Sequence, residues 1–558
     1  MYLGIDVGGT HTDGARLDDK FMVAGTAKVP TRPGDVLGSI RAVLEPLLKD
    51  VDPARVWRLV ISSTLGLNAI LTGRADRVGI LATGGPGLPP DFFGSGDMFR
   101  SLSGQQDHRG EVLVPLKPGE AREAAASLRT AGASAFVVIS KFGPKNQALE
   151  KIMAEAVTAT APGSPLTAAG HLAGRLNFPR RLNTAVYNSA VKTLYRRFLD
   201  DLRRAAAEAG LKCPVRLLTA DGGALSPGEA AESPVLALAA GPAAGLLGLW
   251  SLAGLKGDAL MVDIGGTTTD LGLLVNGEPL LTAEGLEING RPTLVRAFLT
   301  SSVPLGGDLI LAVEDGRVVI KPVRQGSALA LAPEELGSRP PTLTDALNTL
   351  GLAAVGDTGT SRRALAALNA GAPEEAAGQA LAEVGRTLKM ALDGLLRLVN
   401  NRPIYTINAL RLAREVRPTR AAVLGGPAEA LAGTVSEALG LPAAAPADSM
   451  VANAVGAARS RPNLSADLYA DTALGTMSIP ALGVSGAIPK NYDLKKAETD
   501  LLAALKCALA AMPEAGPPQV IEAEVFNQLS GCGRADKIIR VRAQAAPGLL
   551  GGGSGLEG

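Results

Sequence analysis

Residues 6–17, DVGGTHTDGARL, and residues 263–274, DIGGTTTDLGLL, are the same pattern used twice. Aligned in place, Asp6 meets Asp263, Gly8 and Gly9 meet Gly265 and Gly266, Thr10 meets Thr267, and Asp13 meets Asp270. Each copy follows a short apolar run, 2–5 or 259–262, and leads into another apolar or alternating run. Each therefore reads as strand, tight glycine turn, strand. Two adjacent glycines let the backbone turn sharply and let a phosphate approach main-chain N–H groups. Thr10 and Thr12, and likewise Thr267, Thr268 and Thr269, add hydroxyl donors. A carboxylate at the end of the first strand, Asp6 or Asp263, can hold a hydrated magnesium ion. Neither copy has the lysine of a GxxxxGK[ST] loop, which argues against a P-loop enzyme, and neither reads GxGxxG with a suitably spaced acid, which disfavours a dinucleotide fold. A single copy would pass for an ordinary hairpin. Two copies in one context imply two similar lobes clasping a polyphosphate.

The 558-residue chain exceeds the roughly 250–300 residues at which single cores stop growing, so several domains are expected. Hydrophobic residues make up 46%, enough for large cores. Lys+Arg 55 against Asp+Glu 54 offers no electrostatic case for nucleic acid or an anionic membrane, and 3% aromatics argue against base stacking. Cys213, Cys507 and Cys532 are far apart and form no CxxC pair, so no disulfide framework, zinc site or iron–sulfur site is expected. A reducing cytoplasm suits them. The chain opens on a strand-like run without the basic and apolar regions of a signal peptide, and no apolar stretch approaches the roughly 20 residues that span a bilayer. Residues 551–558 read as a flexible tail.

Elsewhere the pattern alternates strands with amphipathic helices. Strands are expected at 56–62, 77–83, 135–139, 215–220, 279–286, 294–298 and 421–424. Helices are expected at 65–72, 119–131, 145–159, 179–209, 375–399, 428–439 and 448–459. Residues 84–118 read as an irregular insertion, in which Asp107, His108 and Arg109 are more readily solvated loop residues than substrate contacts. Arg180 and Arg181, at a helix start, face solvent or a phosphate. Asp221, at a strand end, is placed to face a cleft. Gly306 and Gly307 either approach a nucleotide or make a turn, and Asp308 is a second candidate carboxylate near a metal. Asp345 reads mainly as a helix cap. The strand running into Gly425 and Gly426 and then a helix suits backbone contact with adenosine. After residue 461 the character changes, and 494–509 and 520–541 look like a small separate α/β piece.

The doubled DxGGTxTD resembles the superfamily of sugar kinases, actin and heat-shock chaperone ATPases. More narrowly, the chain resembles the hydantoinase A/oxoprolinase family. SSTLGLNAIL at 62–71 resembles that family's HGTTVATNALL, and RRLNTAVYNSA at 180–190 its ERTSTTVVNAYL. DGG at 221–223 resembles its NGG, GPAAG at 241–245 its GPAGG, PTLTDA at 341–346 its PTVTDA, and GGP at 425–427 its GGAGP. The resemblance runs from residue 1 to about 460. The chain departs at His11, where phenylalanine is common, at Ile264 in place of methionine, and at Ser62 and Ser63 in place of the usual histidine.

The resemblance implies an α/β, two-lobed actin/hexokinase-like (ribonuclease H-like) ATPase fold with a small C-terminal α/β extension. The expected divisions are 1–185, 186–460 and 461–558. It implies ATP and Mg²⁺ as cofactors. Asp6 and Asp263 would hold the metal. Gly8, Gly9, Thr10, Thr12, Gly265, Gly266, Thr267, Thr268, Gly425 and Gly426 would bind the nucleotide. Asp6, Asp263, Thr10 and Thr267 would serve catalysis. The implied reaction is ATP-dependent opening of a cyclic amide, hydantoin- or oxoproline-like, by phosphorylation of its carbonyl oxygen. An ATP-driven activator or reactivating chaperone, and a small-molecule kinase, stay open as alternatives. The expected partners are a small cyclic amide and a hydantoinase B-like subunit, with a homo-oligomer as a further expectation, and neither nucleic acid nor membrane.

Overall fold

The computed structural model describes every residue except 33, 173–174, 256, 283–284, 402–413, 513, 530–534, 547 and 552–558. Cys532 and nearly all of the expected tail lie outside the described residues.

Each copy of the repeat folds as expected and founds its own sheet. Tyr2–Val7 pairs antiparallel with His11–Leu17, so that Asp6 stands opposite Asp13. Ala259–Ile264 pairs with Thr269–Val275 in the same register, placing Asp263 opposite Asp270. The two turns are closed alike, by Gly8 N donating to His11 O at 3.0 Å and Gly265 N to Thr268 O at 2.9 Å.

The first sheet runs Val23–Pro30, His11–Leu17, Tyr2–Val7, Arg58–Ser63, Val215–Leu218, Ala224–Leu225. Numbered along the chain, its first five strands stand in the order 3-2-1-4-5, with strand 2 antiparallel to strand 1 and strands 1, 4 and 5 parallel. Five strands of the second sheet repeat that order, Glu278–Pro279, Thr269–Val275, Ala259–Ile264, Ala421–Leu424 and Ala443–Ala444, and a sixth, Thr300–Val303, pairs antiparallel with Thr269–Val275. This is the two-lobed actin/hexokinase-like α/β architecture that the repeat implies.

Helices Val36–Leu48 and Phe178–Glu208 cover the first sheet. The expected division at 185 falls within that second helix, and strands from 215–225 complete the first sheet. The second sheet is covered by Pro373–Asn400 and Ala428–Leu439. Pro373–Asn400 buries Ala376, Ala380, Val384, Leu388, Leu392 and Leu395, a stripe at helical spacing. A separate core lies between the sheets. There Val60 and Leu218 of the first meet Met261 and Leu424 of the second around helix Ala240–Ala253.

Residues 65–208 carry an inserted α/β unit. Its sheet runs Val112–Val114, Phe99–Gln106, Val78–Gly84, Ala135–Ser140, Leu166–Ala168. Two of those strands lie within 84–118, so that stretch is not the irregular insertion its glycines and prolines suggested. Of the strands expected at 279–286 and 294–298, residues 283–284 lie outside the described residues, and the described ones belong to an arm of two-residue strands and bridges, Leu281↔Phe298 and Glu287–Ile288 with Arg291–Pro292. The arm leaves the second lobe and packs on the first. Tyr187 donates its hydroxyl to Ile288 O at 2.8 Å, and Asn183 donates to Pro292 O at 2.9 Å. After Arg461 a five-stranded sheet with helix Leu494–Leu509 forms the expected α/β extension. Among the described residues no helix is long and apolar enough to cross a membrane.

Candidate active site

A cavity of about 470 Å³ lies between the lobes, and both glycine turns line it. Thr10 of the first turn faces Gly266 of the second, since a Cβ on Gly266 would stand 3.3 Å from Thr10 Cγ2. Asp6, Gly8, Gly9, Thr10, Asp263, Gly265, Gly266, Thr267, Thr268, Gly425 and Gly426 all reach this cavity.

Thr12 does not. Its side chain is fully buried and shares a 2.9 Å hydrogen bond with Thr31 Oγ1, which in turn donates to Gly8 O. It stiffens the turn from beneath and cannot donate to a phosphate. The reason is strand alternation: residues 12 and 13 point to opposite faces, and Asp13 takes the cavity side.

Asp13 and Asp270 join Asp6 and Asp263 in the cavity, so four carboxylates converge. Burial pushes Asp6 up to about 6, and the like charge of Asp13 adds to it. Burial, then the charge of Asp270, pushes Asp263 up to about 7, while burial alone raises Asp270 to about 6. Lys28 Nζ donates to both oxygens of Asp13 at 2.8 Å. Asn453 Nδ2 donates to Asp263 Oδ2 at 3.2 Å and to Asp6 Oδ2 at 3.4 Å, joining the two lobes' strand-end acids. Asp6 Oδ1 is buried with no partner among the described residues. A cation fits this surplus of buried negative charge. Among the described residues no three His, Cys, Asp or Glu side chains are placed to ligate a metal directly. Two strand-end carboxylates therefore suit an ion held through its own water shell.

Gly425 sits at φ +93, and a Cβ there would stand 2.2 Å from Ile264 O, so this position needs glycine. Gly426 has open space beside it and starts the turn into helix Ala428–Leu439. Beyond it the cavity wall becomes apolar, with Ala328, Leu331, Leu347, Val355 and Ala430. Gly306 and Gly307 support the second turn, and Gly307 also lines the cavity. Gly307 N donates to Gly265 O at 3.0 Å and Asp308 N to Gly266 O at 2.7 Å. Asp308 reaches the cavity and pairs with Arg324 at 3.0 Å.

Other segments divide. Thr64 and Asn68 line the cavity, as do Gly241 and Pro242. Asp221 instead accepts from Thr219 and from Asn463, both at 2.6 Å, at the junction with the C-terminal extension. Asp345 completes a capping box with Thr342 and also accepts from Leu329 N and Ser361 Oγ. Arg181 faces neither solvent nor a phosphate: it is buried, donates to Ser140 O and Lys141 O, and opposes buried Glu150. Arg180 donates to Thr293 O of the arm at 3.2 Å. Asp107 accepts from Arg109 N and Glu111 N in a surface turn outside the cavity. Sequence reasoning missed Lys28 and Asn453. Asp13 and Asp270 carried a usable signal, because a four-residue turn sets them opposite Asp6 and Asp263.

Two 3-2-1-4-5 sheets facing each other across paired acidic glycine turns define a two-lobed ATPase fold. Residues 2–161 match the hydantoinase/oxoprolinase N-terminal region and 181–464 match hydantoinase/oxoprolinase, and the chain belongs to that family. It is 25% identical over 455 residues to the caprolactamase subunit alpha of Pseudomonas jessenii, covering 76% of this chain and 64% of that one. It is 26% identical over 380 residues to the acetone carboxylase beta subunit of Xanthobacter autotrophicus, covering 60% of this chain and 50% of that one. An uncharacterized protein of Methanocaldococcus jannaschii is 24% identical over 457 residues, covering 75% and 65%. The matched part is thus less than two thirds of each curated relative's length. A crystal structure of ATP-dependent caprolactamase from Pseudomonas jessenii and a nucleotide-free structure of acetone carboxylase share the fold, each with TM-score 0.70 and 18% identity over 98% of this chain and 87% of theirs.

Proposed function

We propose that this chain binds Mg–ATP between its lobes and transfers the γ-phosphoryl group to the carbonyl oxygen of a cyclic amide, so that water can open the ring. The observation that carries this reading is the doubled acidic turn on one interlobe cavity. Thr10, Thr267 and Thr268, with the main-chain N–H groups of both turns, donate to the phosphates. Gly425 and Gly426 give room for the nucleoside against the apolar wall. Asp6 and Asp263 would hold magnesium through water, and the ion would supply charge neutralisation of the transferring phosphoryl group. Closure of the lobes excludes water until the acceptor is in line.

An amide carbonyl is a poor electrophile, and phosphorylating its oxygen makes that oxygen a leaving group. Water then adds to the carbonyl carbon, the ring C–N bond breaks with the amine as leaving group, and an acyl phosphate remains. A second water at the same carbon yields the carboxylate and phosphate. ATP dependence and a lactam substrate in the name and title of the caprolactamase relative support the reading. The relatives are named as subunits, which supports a partner of the hydantoinase B-like kind.

The test is ADP release by the purified chain, alone and with that partner. Hydantoin, 5-oxoproline or caprolactam should raise it. No stimulation by any cyclic amide under either condition would refute the substrate class.

A further inference from the structure

A second cavity, about 310 Å³, lies where three parts of the chain meet. Arg175 reaches it from the turn before helix Phe178–Glu208, Arg296 from the arm, and Arg542 from the C-terminal sheet. Leu281, Leu294 and Ile521 form its apolar wall.

The acids nearby do not consume this positive charge evenly. Glu522 pairs with Arg175, and Asp467 takes Arg542 at 2.8 and 3.1 Å. Arg296 donates instead to Oε1 of Gln544, a neutral and fully buried amide. The acid facing Arg296 is Asp221, which Thr219 and Asn463 already hold at 2.6 Å each. Burial lowers the Arg296 pKa; Asp221 opposes that, while Arg542 and Arg175 add to it as like charges. Arg175 Nε and Gln544 Nε2 are buried without hydrogen-bond partners among the described residues.

We infer that this seam binds a small organic acid, its oxyanion on the guanidinium groups of Arg175 and Arg296 and its aliphatic body on Leu281, Leu294 and Ile521. Guanidinium forks match carboxylates in geometry, and the desolvated setting strengthens the contact. No residue of the seam lines the nucleotide cavity, so the bound acid is an effector rather than the phosphoryl acceptor. It ties the second lobe's arm to the first lobe and the C-terminal sheet at once.

The experiment is calorimetric titration of the full chain with glutarate and, separately, inorganic phosphate, at ionic strength held constant with sodium chloride. Glutarate should bind saturably and more tightly than phosphate. Arg175→Gln and Arg296→Gln should each weaken it about tenfold or more, with Mg–ATP affinity unchanged. Absence of saturable glutarate binding, phosphate binding as tight as glutarate, or unaltered glutarate binding in both variants would overturn the inference. Should the glutamine variants fail to fold, Arg296→Lys decides: it keeps the charge but loses the fork, so weaker glutarate binding supports the site and unchanged binding overturns it.

Discussion

Asn453 does at the level of one amide what the fold does at the level of two lobes. Its Nδ2 lies 3.2 Å from Asp263 and 3.4 Å from Asp6, and it brings no charge to a cleft already crowded with carboxylates. Asn453→Leu keeps the volume and removes the donor. It should weaken Mg–ATP binding about tenfold, in line with the roughly 1–3 kcal/mol cost of an unsatisfied buried polar group, as read by nucleotide titration. Asp263→Ala should weaken it at least as much, and unchanged binding would refute the site. The acids also set a pH dependence. Folding raises Asp6, Asp263 and Asp270 to about 6, 7 and 6. Their stabilising contribution is therefore complete below the unfolded value of about 4 and is lost as pH rises through about 6–7. A cation competes with those protons. The thermal stabilisation by Mg–ATP should be larger at about pH 8 than at about pH 5.5, and a gain independent of pH would contradict that coupling. At this scale the two glycine turns were legible because they repeat, and both line one cavity. Residue type alone does not reveal that strand alternation turns the Thr12 side chain away from the cavity and onto Thr31. The sequence hid Lys28 and Asn453, whose roles depend on which neighbour the fold brings to them.

Helix Ala452–Arg459 earns its position through glycines. Cβ atoms on Gly4, Gly248 and Gly456 would stand 1.9, 2.1 and 2.0 Å from the carbonyl oxygens of Ala454, Ala452 and Ala244. The helix therefore lies in backbone contact with strand Tyr2–Val7 on one side and helix Ala240–Ala253 on the other. That closeness sets Asn453 between Asp6 and Asp263. Gly456→Ala should destabilise the protein by about 1–3 kcal/mol through overpacking, measured by urea unfolding, and should weaken nucleotide binding by shifting Asn453. Helices of this kind were legible from their spacing, and so were most strands of the two main sheets. The arm was not, because its described residues pair in short, interrupted steps, such as Thr282 N to Ala297 O at 2.8 Å and Leu286 N to Val295 O at 2.7 Å, and dock on Tyr187, Asn183 and Thr184 of another element. Strands Phe99–Gln106 and Val112–Val114 were likewise obscured, since the glycines and prolines around them read locally as loop.

The whole molecule is two copies of one sheet sharing a central core, with an inserted α/β unit on the first lobe and an extension that reaches back to both. Arg58, fully buried in the first sheet, pairs with Glu514 of the extension at 2.9 Å, and Arg296 of the arm meets Gln544. The repeat made the two lobes legible. It carried no trace of the extension's docking, which rests on pairs more than two hundred residues apart. The proposed transfer would require the lobes to close so that a carbonyl oxygen stands in line with the γ-phosphate. The direct measurement uses a cyclic amide labelled with ¹⁸O at its carbonyl, incubated with Mg–ATP, the chain and the proposed partner subunit. The expected result is ring opening with ADP release and one ¹⁸O in the phosphate. Ring opening with ADP release but unlabelled phosphate would contradict transfer to the carbonyl oxygen.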